Sequence, residues 1–265
     1  MYFSLNFYLL WHALQRSSLI LPISRTMKKQ LIKEGIDDAI LHVLPMGVNS
    51  TLFSSNLSQQ LSHEDHGNNG IIKMVYLGSM SKSRNLSLLL NAFNQCYKRC
   101  SNSRLMMIGD GDDRKTLENM TKLMNISAVV IFTGMLPQNE AAGLMRQADI
   151  GLCIVPPTDE FTLSSPTKLF EYMAMGLPVI VNRGIVELED VSRLSGGCVL
   201  ANYNPVSISD AMVMLVQSRK ERLDMGKSGH NWVLSNRTYA ALSKDLHIRI
   251  IDSIGKEKSM KTKRE

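Results

Sequence analysis

The sequence contains little cysteine: four in 265 residues, at no spacing typical of a disulfide framework. Cys96 and Cys100 lie four residues apart on one predicted helical face, and we expect them to be reduced thiols of a cytosolic protein. Histidine is also scarce, and His63 and His66 lie in a polar stretch where no metal site is expected. These scarcities exclude a disulfide-stabilised scaffold and give no indication of a metal centre.

Outside the carboxyl terminus, the sequence has little excess of positive over negative charge. The net charge is +6, but the ten residues after Gly255 hold five basic and two acidic residues, which is half of that excess. The remainder is only mildly basic, which argues against a nucleic-acid-binding protein. We interpret residues 256–265 as a disordered, solvated tail; contact of this tail with anionic lipid at the inner face of a membrane is the alternative.

A membrane-spanning segment is not expected at the amino terminus. Residues 1–11 are apolar but too short to span a bilayer, and they lack the basic start and small-residue cleavage site of a signal peptide. An apolar start with neither role predicts a helix that packs on structure lying upstream. We therefore expect the chain to begin in the middle of a domain.

Short strands are predicted at 18–23 and 41–44, with Ser24 as the cap of a helix over 25–34. After residue 70, strands and helices alternate. Apolar runs at 71–78, 104–108, 129–133, 150–155 and 179–181 are typical of buried strands, with helical stretches between them, and 199–200 is a last short strand. This alternation predicts a doubly wound parallel sheet of the α/β class, in which ligands bind beyond the carboxyl ends of the strands. Glycines follow several of these strands, and glycine lets backbone amides approach a ligand. The pattern indicates a nucleotide site.

The stretch from Ser164 to Ile180 contains the most informative chemistry. Ser165 and Pro166 suit a helix start, with serine as the cap and proline at the first helical position. The next amides, near Thr167 and Lys168, would form an anion site with the helix dipole and the lysine charge. Glu171, one turn later, can accept hydrogen bonds from vicinal hydroxyls. An anion site next to such an acid suits a nucleotide-sugar diphosphate. The alternative is a capped helix that packs on a sheet with Glu171 solvated.

Five ordered motifs carry a resemblance to a known family. Together they resemble the donor domain of GT-B glycosyltransferases, in the retaining group called family 4 (glycosyl transferases group 1), from residue 71 to about residue 239. Residues 20–53 resemble the closing part of that family's acceptor domain, and the last helix resembles the one that crosses back to it. The motifs are Tyr76-Leu77-Gly78 with Arg84-Asn85-Leu86, Met107-Ile108-Gly109-Asp110-Gly111, Phe132-Thr133-Gly134, Ala148-Asp149-Ile150-Gly151-Leu152, and Ser165 to Ile180.

The resemblance implies a domain organisation. It assigns 1–54 to a remnant of the acceptor-side domain, 55–70 to a polar linker, 71–238 to the donor-binding domain and 239–255 to the crossing helix. Most of the first domain would be missing, and with it the catalytic residues, so a partner chain that supplies this domain is conceivable.

The resemblance also implies donor-binding residues. Arg84 would face the donor diphosphate, and the backbone of Gly109 and Gly111 would approach the nucleotide. Three further contacts are implied in the same way: Met135 and Leu136 at the base edge, the turn of Ser165, Pro166 and Thr167, whose free amides would hold the diphosphate, and Glu171 at the ribose.

The sequence departs from the family pattern at two positions of the implied site. Leu163 occupies the position of the first acid of the family's glutamate pair, so recognition of the donor sugar must fall to Ser164 and Ser165 or be absent. Ser79 occupies the position where many relatives have a second arginine, and Lys82 is a candidate replacement.

These features support two functional hypotheses. The first is a retaining glycosyltransferase, without metal or cofactor, that moves a sugar from a UDP-, GDP- or ADP-linked donor to a glycan, lipid or polysaccharide acceptor in the cytoplasm. The second is a non-catalytic nucleotide-binding remnant without the acceptor domain. A third class, NAD-dependent dehydrogenases, is rejected because residues 109–113 do not form the G-x-G-x-x-G pattern and carry acids that would repel a pyrophosphate.

Overall fold

Six parallel strands form the sheet of the described residues. The computed structural model describes residues 11–53 and 70–262, with side chains described as far as residue 255. The strand order is β3-β2-β1-β4-β5-β6, and every neighbouring pair is parallel. The predicted doubly wound α/β sheet is therefore confirmed. The strands are Ile72–Leu77 (β1), Ser103–Ile108 (β2), Val130–Gly134 (β3), Ile150–Cys153 (β4), Val179–Asn182 (β5) and Cys198–Ala201 (β6).

Helices cover both faces of the sheet. Two apolar clusters result: α2, α3 and α8 pack on one face, and α4, α6, α7 and α9 pack on the other. Strands β4 and β5 are buried along their whole length, which explains their uninterrupted apolar sequences. The helices are Arg25–Lys33 (α1), Leu86–Arg99 (α2), Arg114–Leu123 (α3), Gln138–Met145 (α4), Asp159–Thr162 (α5), Thr167–Ala174 (α6), Val186–Ser195 (α7), Pro205–Gln217 (α8), Arg219–Asn236 (α9) and Tyr239–Thr262 (α10).

The segment before residue 53 is attached to the sheet domain rather than part of it. The predicted strands at 18–23 and 41–44 are reduced to one parallel bridge between Ile20 and Leu41. The predicted cap of α1 is confirmed, because the Ser24 hydroxyl accepts a hydrogen bond from the amide of Met27 at 3.1 Å. Two short segments that pair without a third strand form few backbone hydrogen bonds. This explains why the described residues of this segment form only a bridge and not an extended strand.

The segment before the sheet domain meets the start of the last helix at one crossing point, near Val48. The Val48 amide donates to the Arg237 carbonyl at 2.8 Å, and the Tyr239 amide donates to the Val48 carbonyl at 3.2 Å. Helix α10 starts at this point and leaves Ile248, Ile251 and Ile254 about half exposed. The last helix thus carries a partly exposed apolar face.

The structure corrects two predictions of helical structure. Helix α7 has no counterpart in the sequence analysis, because its acid-rich start carries no side-chain cap; the spacing of Leu188 and Val191 and the stop at Gly196 are signals that would have found it. Helix α10 continues to Thr262, into the tail that the sequence predicts to be disordered, since lysine, methionine and glutamate favour helices. The linker predicted at 55–70 lies outside the described residues except for Gly70, as do residues 1–10. Among the described helices, none has the length and hydropathy needed to cross a bilayer.

Candidate functional site

The strand order reverses between β1 and β4, and the candidate site lies at this point. Strand β1 ends at Leu77 and its neighbour β4 ends at Cys153. The connections that follow these strands turn away to opposite sides of the sheet, which opens a crevice beyond the carboxyl ends of the strands. The residues that bound this crevice are therefore those of loop 78–85 and loop 154–166, with the first turn of α6.

The glycines that follow β1 and β2 serve close packing of the loops. A Cβ on Gly109, whose φ is +133°, would lie 2.1 Å from the carbonyl oxygen of Gly78, and one on Gly111 would lie 2.4 Å from the carbonyl carbon of Met80. Their amides already have acceptors: Gly109 donates to the Gly134 carbonyl at 3.0 Å, and Gly111 donates to the Asp110 carboxylate at 2.8 Å. The loops therefore need glycine to approach each other, a reason different from the ligand access that the sequence suggests.

Arg84 connects the two loops that border the crevice. It ends a short 3-10 helix, Lys82–Arg84, immediately before α2. Its guanidinium carbon lies 4.2 Å from the centre of the Phe161 ring, and Phe161 is a buried residue of α5 in the opposite loop. A cation above an aromatic face is attracted by the ring quadrupole. The contact thus holds Arg84 at the crevice, and sequence reasoning gave no signal for the role of Phe161.

The start of α6 is built differently from the prediction. Pro166 is the cap residue and Thr167 the first helical residue, with no side-chain hydrogen bond at the cap. The predicted serine cap is wrong, because the Ser165 hydroxyl donates to Glu187 Oε1 at 3.2 Å and accepts from the Met46 amide at 3.2 Å. Within the described residues, the cap of α6 therefore provides no side chain for the first-turn amides, which are positive because of the helix dipole.

Lys168 and Glu171 lie one turn apart on α6 and face the end of β1. The Lys168 Nζ lies 4.0 Å from the centre of the Tyr76 ring, beside Gly78. Burial raises the pKa of the Glu171 carboxyl to about 7, and the Lys168 ammonium lowers it. The carboxyl makes no side-chain hydrogen bond to another residue of the described part of the chain. A partly buried acid without a partner is suited to an incoming hydrogen-bond donor.

The charges of three predicted residues act on one buried thiol at the end of β4. Burial raises the pKa of the Cys153 thiol to about 11; the charges of Lys168 and Arg84 lower it, and that of Glu171 raises it. The contacts of Arg84 with Phe161 and of Lys168 with Tyr76 place these two cations at the two ends of the strand switch, on the loop after β1 and on α6.

The remaining predicted residues are not equally placed. Met135 is 80% exposed and follows the edge strand β3, two strands and therefore about 10 Å from β1. Leu136 packs on the apolar cluster beneath it. The Ser164 hydroxyl donates to the Phe161 carbonyl at 2.6 Å. The Ser165 hydroxyl also donates to a protein oxygen. Neither serine therefore has a free hydroxyl proton with which to replace the missing acid in recognition of the donor sugar.

Two buried features beneath the crevice were not found from the sequence. The Tyr172 hydroxyl accepts from the Leu77 amide at 2.6 Å and so ties α6 to the end of β1. A Cβ on Gly151 would lie 2.6 Å from the Tyr172 ring, which explains the glycine in β4. The second feature is an ion pair of Glu187 with Arg237 at 2.9 Å. Within the described residues, no group of three or more His, Cys, Asp or Glu side chains is arranged to hold a metal ion.

Comparison with known proteins gives a consistent result. Residues 72–218 match the sequence model of the family described as Glycosyl transferases group 1. The chain is 23% identical over 217 residues to the GDP-mannose-dependent alpha-(1-6)-phosphatidylinositol monomannoside mannosyltransferase of Mycolicibacterium smegmatis, which covers 81% of this chain and 57% of that protein. It is 26% identical over 176 residues to the amylovoran biosynthesis glycosyltransferase AmsK of Erwinia amylovora, which covers 65% of this chain and 42% of that protein.

Solved structures agree on the fold. The crystal structure of Anabaena Alr3699/HepE in complex with UDP and glucose matches with a TM-score of 0.74 at 14% identity, over 91% of this chain and 65% of that one. The chain spans about half the length of the curated relatives it matches, between 42% and 57% in the two cases above.

Proposed function

Because this chain belongs to the glycosyl transferases group 1 family, we propose that it binds a nucleotide-sugar donor for a retaining glycosyltransferase. Residues 71–238 are proposed as the donor domain, residues before 54 as part of the acceptor-side domain, and residues 239–255 as the helix that returns to it. The acceptor is proposed to be a glycan, lipid or polysaccharide, with the acceptor-binding groups on structure other than this domain. Nucleotide sugars carry a diphosphate, so the donor site must neutralise negative charge.

The observation that carries the proposal is the placement of two cations at the strand switch: Arg84 over Phe161, and Lys168 over Tyr76 beside Gly78. Glu171 lies one turn after Lys168 on α6. In doubly wound sheets the strand switch is where phosphorylated ligands bind. The two cations and the uncapped start of α6 would hold the diphosphate, and the same groups would stabilise it as it leaves the sugar. Glu171 would accept from the ribose hydroxyls, with the base toward Met135 and Leu136.

The proposed donor nucleotide is UDP, GDP or ADP. The name of the mycobacterial relative specifies GDP-mannose, and the Anabaena protein was crystallised with UDP and glucose. Isothermal titration of this chain with each of the three nucleoside diphosphates is expected to show binding of at least one. Uridine, guanosine and adenosine serve as controls, since they lack the diphosphate that the cations are proposed to hold. Absence of binding by all three diphosphates would remove the donor site.

A second candidate is a nucleotide-binding module without transfer activity. It is favoured by Leu163, which cannot hydrogen-bond a sugar, together with the internal hydrogen bonds of the Ser164 and Ser165 hydroxyls. Incubation with UDP-, GDP- and ADP-sugars distinguishes the two candidates. Release of the nucleoside diphosphate, by hydrolysis or transfer, supports the enzyme; diphosphate binding without any release supports the module.

Nucleoside diphosphate affinity is expected to rise between pH 6 and pH 8. The pKa of Glu171 is raised to about 7, so its carboxyl is mostly protonated below that pH and mostly ionised above it. The ionised form accepts hydrogen bonds from ribose hydroxyls better than the protonated form does. Cys153, with a pKa of about 11, stays neutral throughout this range.

The expected change is about three- to tenfold in the dissociation constant, because the ionised fraction of a carboxyl with a pKa of about 7 rises about tenfold between pH 6 and pH 8. The phosphate of the ligand also titrates near this range, so the measurement is the difference between the unmodified chain and Glu171→Gln. That variant should bind more weakly at pH 8 and lose the excess pH dependence. Parallel pH profiles for the two proteins would contradict the role of Glu171.

A further inference from the structure

A buried polar cluster lies behind the turn that starts α6. Glu187, on α7, is only 6% exposed, and its Oε1 atom accepts from both the Ser165 hydroxyl at 3.2 Å and Arg237 Nη2 at 2.9 Å. The Ser165 hydroxyl in turn accepts from the Met46 amide at 3.2 Å. One carboxylate oxygen thus joins α7, the loop before α6, the segment before the crossing point and the segment between α9 and α10.

The cluster is costly to bury, so its geometry requires an explanation other than stability. Burial raises the pKa of the Glu187 carboxyl and lowers that of the Arg237 guanidinium; each shift disfavours the charged form. The guanidinium lies between the rings of Phe170 and Trp232, at 5.2 Å and 5.6 Å from their centres. A buried ion pair of this kind is often no more stable than a well-packed apolar pair of the same volume.

The position of Ser165 indicates what the cluster does. Ser165 immediately precedes Pro166, the cap of α6, whose first turn contains Thr167 and Lys168. Its hydroxyl is held from both sides, by Glu187 on the sheet domain and by Met46 on the segment that leads to the crossing point. The first turn of α6 therefore follows directly on a residue whose hydroxyl is bonded to α7 and to the segment before the crossing point.

We infer that Glu187 is a positioning residue: through the Ser165 hydroxyl it fixes the turn that would hold the donor diphosphate, and Arg237 holds Glu187 in place. This inference rests on the proposed donor site. Because the same hydroxyl accepts from Met46, the position of the turn is also coupled to the segment by which the chain enters the sheet domain. The cluster contributes alignment of the α6 start rather than direct contact with the ligand.

Two double variants that differ in one hydrogen-bonding group test the inference. Glu187→Gln/Arg237→Met removes both charges but keeps a side-chain oxygen for the Ser165 hydroxyl. Glu187→Met/Arg237→Met has nearly the same volume and lacks that oxygen. Both avoid an unpaired buried charge, so both are expected to fold, which the thermal unfolding midpoint checks.

The measurement is the dissociation constant, well below the unfolding midpoint, of whichever of UDP, GDP and ADP the unmodified chain binds. The Gln-containing variant is expected to bind within about threefold of the unmodified chain, and the Met-containing variant about tenfold more weakly. A purely structural role would change the unfolding midpoint without this difference, because affinity is measured on the folded protein. Asp210→Asn, which breaks an exposed ion pair with Arg99, is the control and should leave affinity unchanged.

The outcomes separate the two proposals. Equal affinities of the two double variants, whether both normal or both weak, would overturn the positioning role and leave the donor site standing. Failure of the unmodified chain to bind any of the three diphosphates would overturn the donor site, and this inference with it. If the Met-containing variant does not fold, a normal affinity of Ser165→Ala overturns the inference and a loss of about tenfold supports it.

Discussion

Replacing Arg84 with alanine is expected to weaken nucleoside diphosphate binding by about ten- to a hundredfold, the scale of a charge-assisted hydrogen bond. The guanidinium lies over Phe161 at the crevice. The charges of Arg84 and Lys168 both lower the pKa of the buried Cys153 thiol. Removing the guanidinium would leave Lys168 and the helix dipole to neutralise the phosphate charge. Isothermal titration at low ionic strength measures this loss of affinity. The difference between the unmodified chain and the variant should become smaller as added salt screens the attraction between the guanidinium and the phosphates.

Arg99→Ala is a matched control for Arg84→Ala. Arg99 is the last residue of α2, whereas Arg84 lies just before its first turn, so the two arginines are separated by about 20 Å of helix. Arg99 pairs with Asp210 at 2.5 Å on the surface. Its removal takes away the same net charge but should change affinity by less than about twofold. Similar losses in both variants would mean that overall charge, not Arg84 at the crevice, determines binding.

Replacing Gly109 with alanine is expected to destabilise the fold by about 3–5 kcal/mol, because two penalties coincide. The residue has a φ of +133°, a conformation that side chains other than glycine rarely adopt, and its new Cβ would lie 2.1 Å from the Gly78 carbonyl oxygen. The obstruction is backbone, so no side-chain rotation relieves it. Urea unfolding followed by circular dichroism measures the loss as a lower midpoint at an unchanged slope.

Gly143→Ala is the control for this prediction. Gly143 lies within α4, and a Cβ there would meet no atom within 4 Å. Because alanine favours helix over glycine, this variant should be more stable by about 0.5–1 kcal/mol. A loss below about 1 kcal/mol in Gly109→Ala would show that the loops can separate, and that their close approach is not required for the fold.

Much of the architecture could be predicted from local sequence. Each strand of the sheet, though not its exact bounds, was identified from an apolar run, since a strand covered on both faces needs no polar alternation. The separation of Lys168 and Glu171 by three residues placed them on one side of α6, because helical geometry alone fixes that relation. Ser24 as the cap of α1 followed from the same kind of local rule.

The family resemblance added residues that local rules do not single out. Arg84 is one of several exposed or half-exposed arginines, and nothing in its neighbourhood of the sequence distinguishes it. Motif order and spacing selected it, and the structure places its guanidinium over Phe161, in the loop that follows β4. The roles in donor binding stay predictions until the titrations above are made.

What the sequence by itself determined about this protein is most of its elements, their parallel arrangement and the family to which it belongs. Tertiary structure alone decided which side chains meet: Ser165 contacts Met46, 119 residues earlier, and Glu187 pairs with Arg237, 50 residues later. Hydrophobic periodicity and capping act over a few residues, so they are legible in sequence. A hydroxyl satisfies whichever partner packing brings within reach, and for that reason Ser165, which looked like a helix cap, became the link between α6 and a buried ion pair.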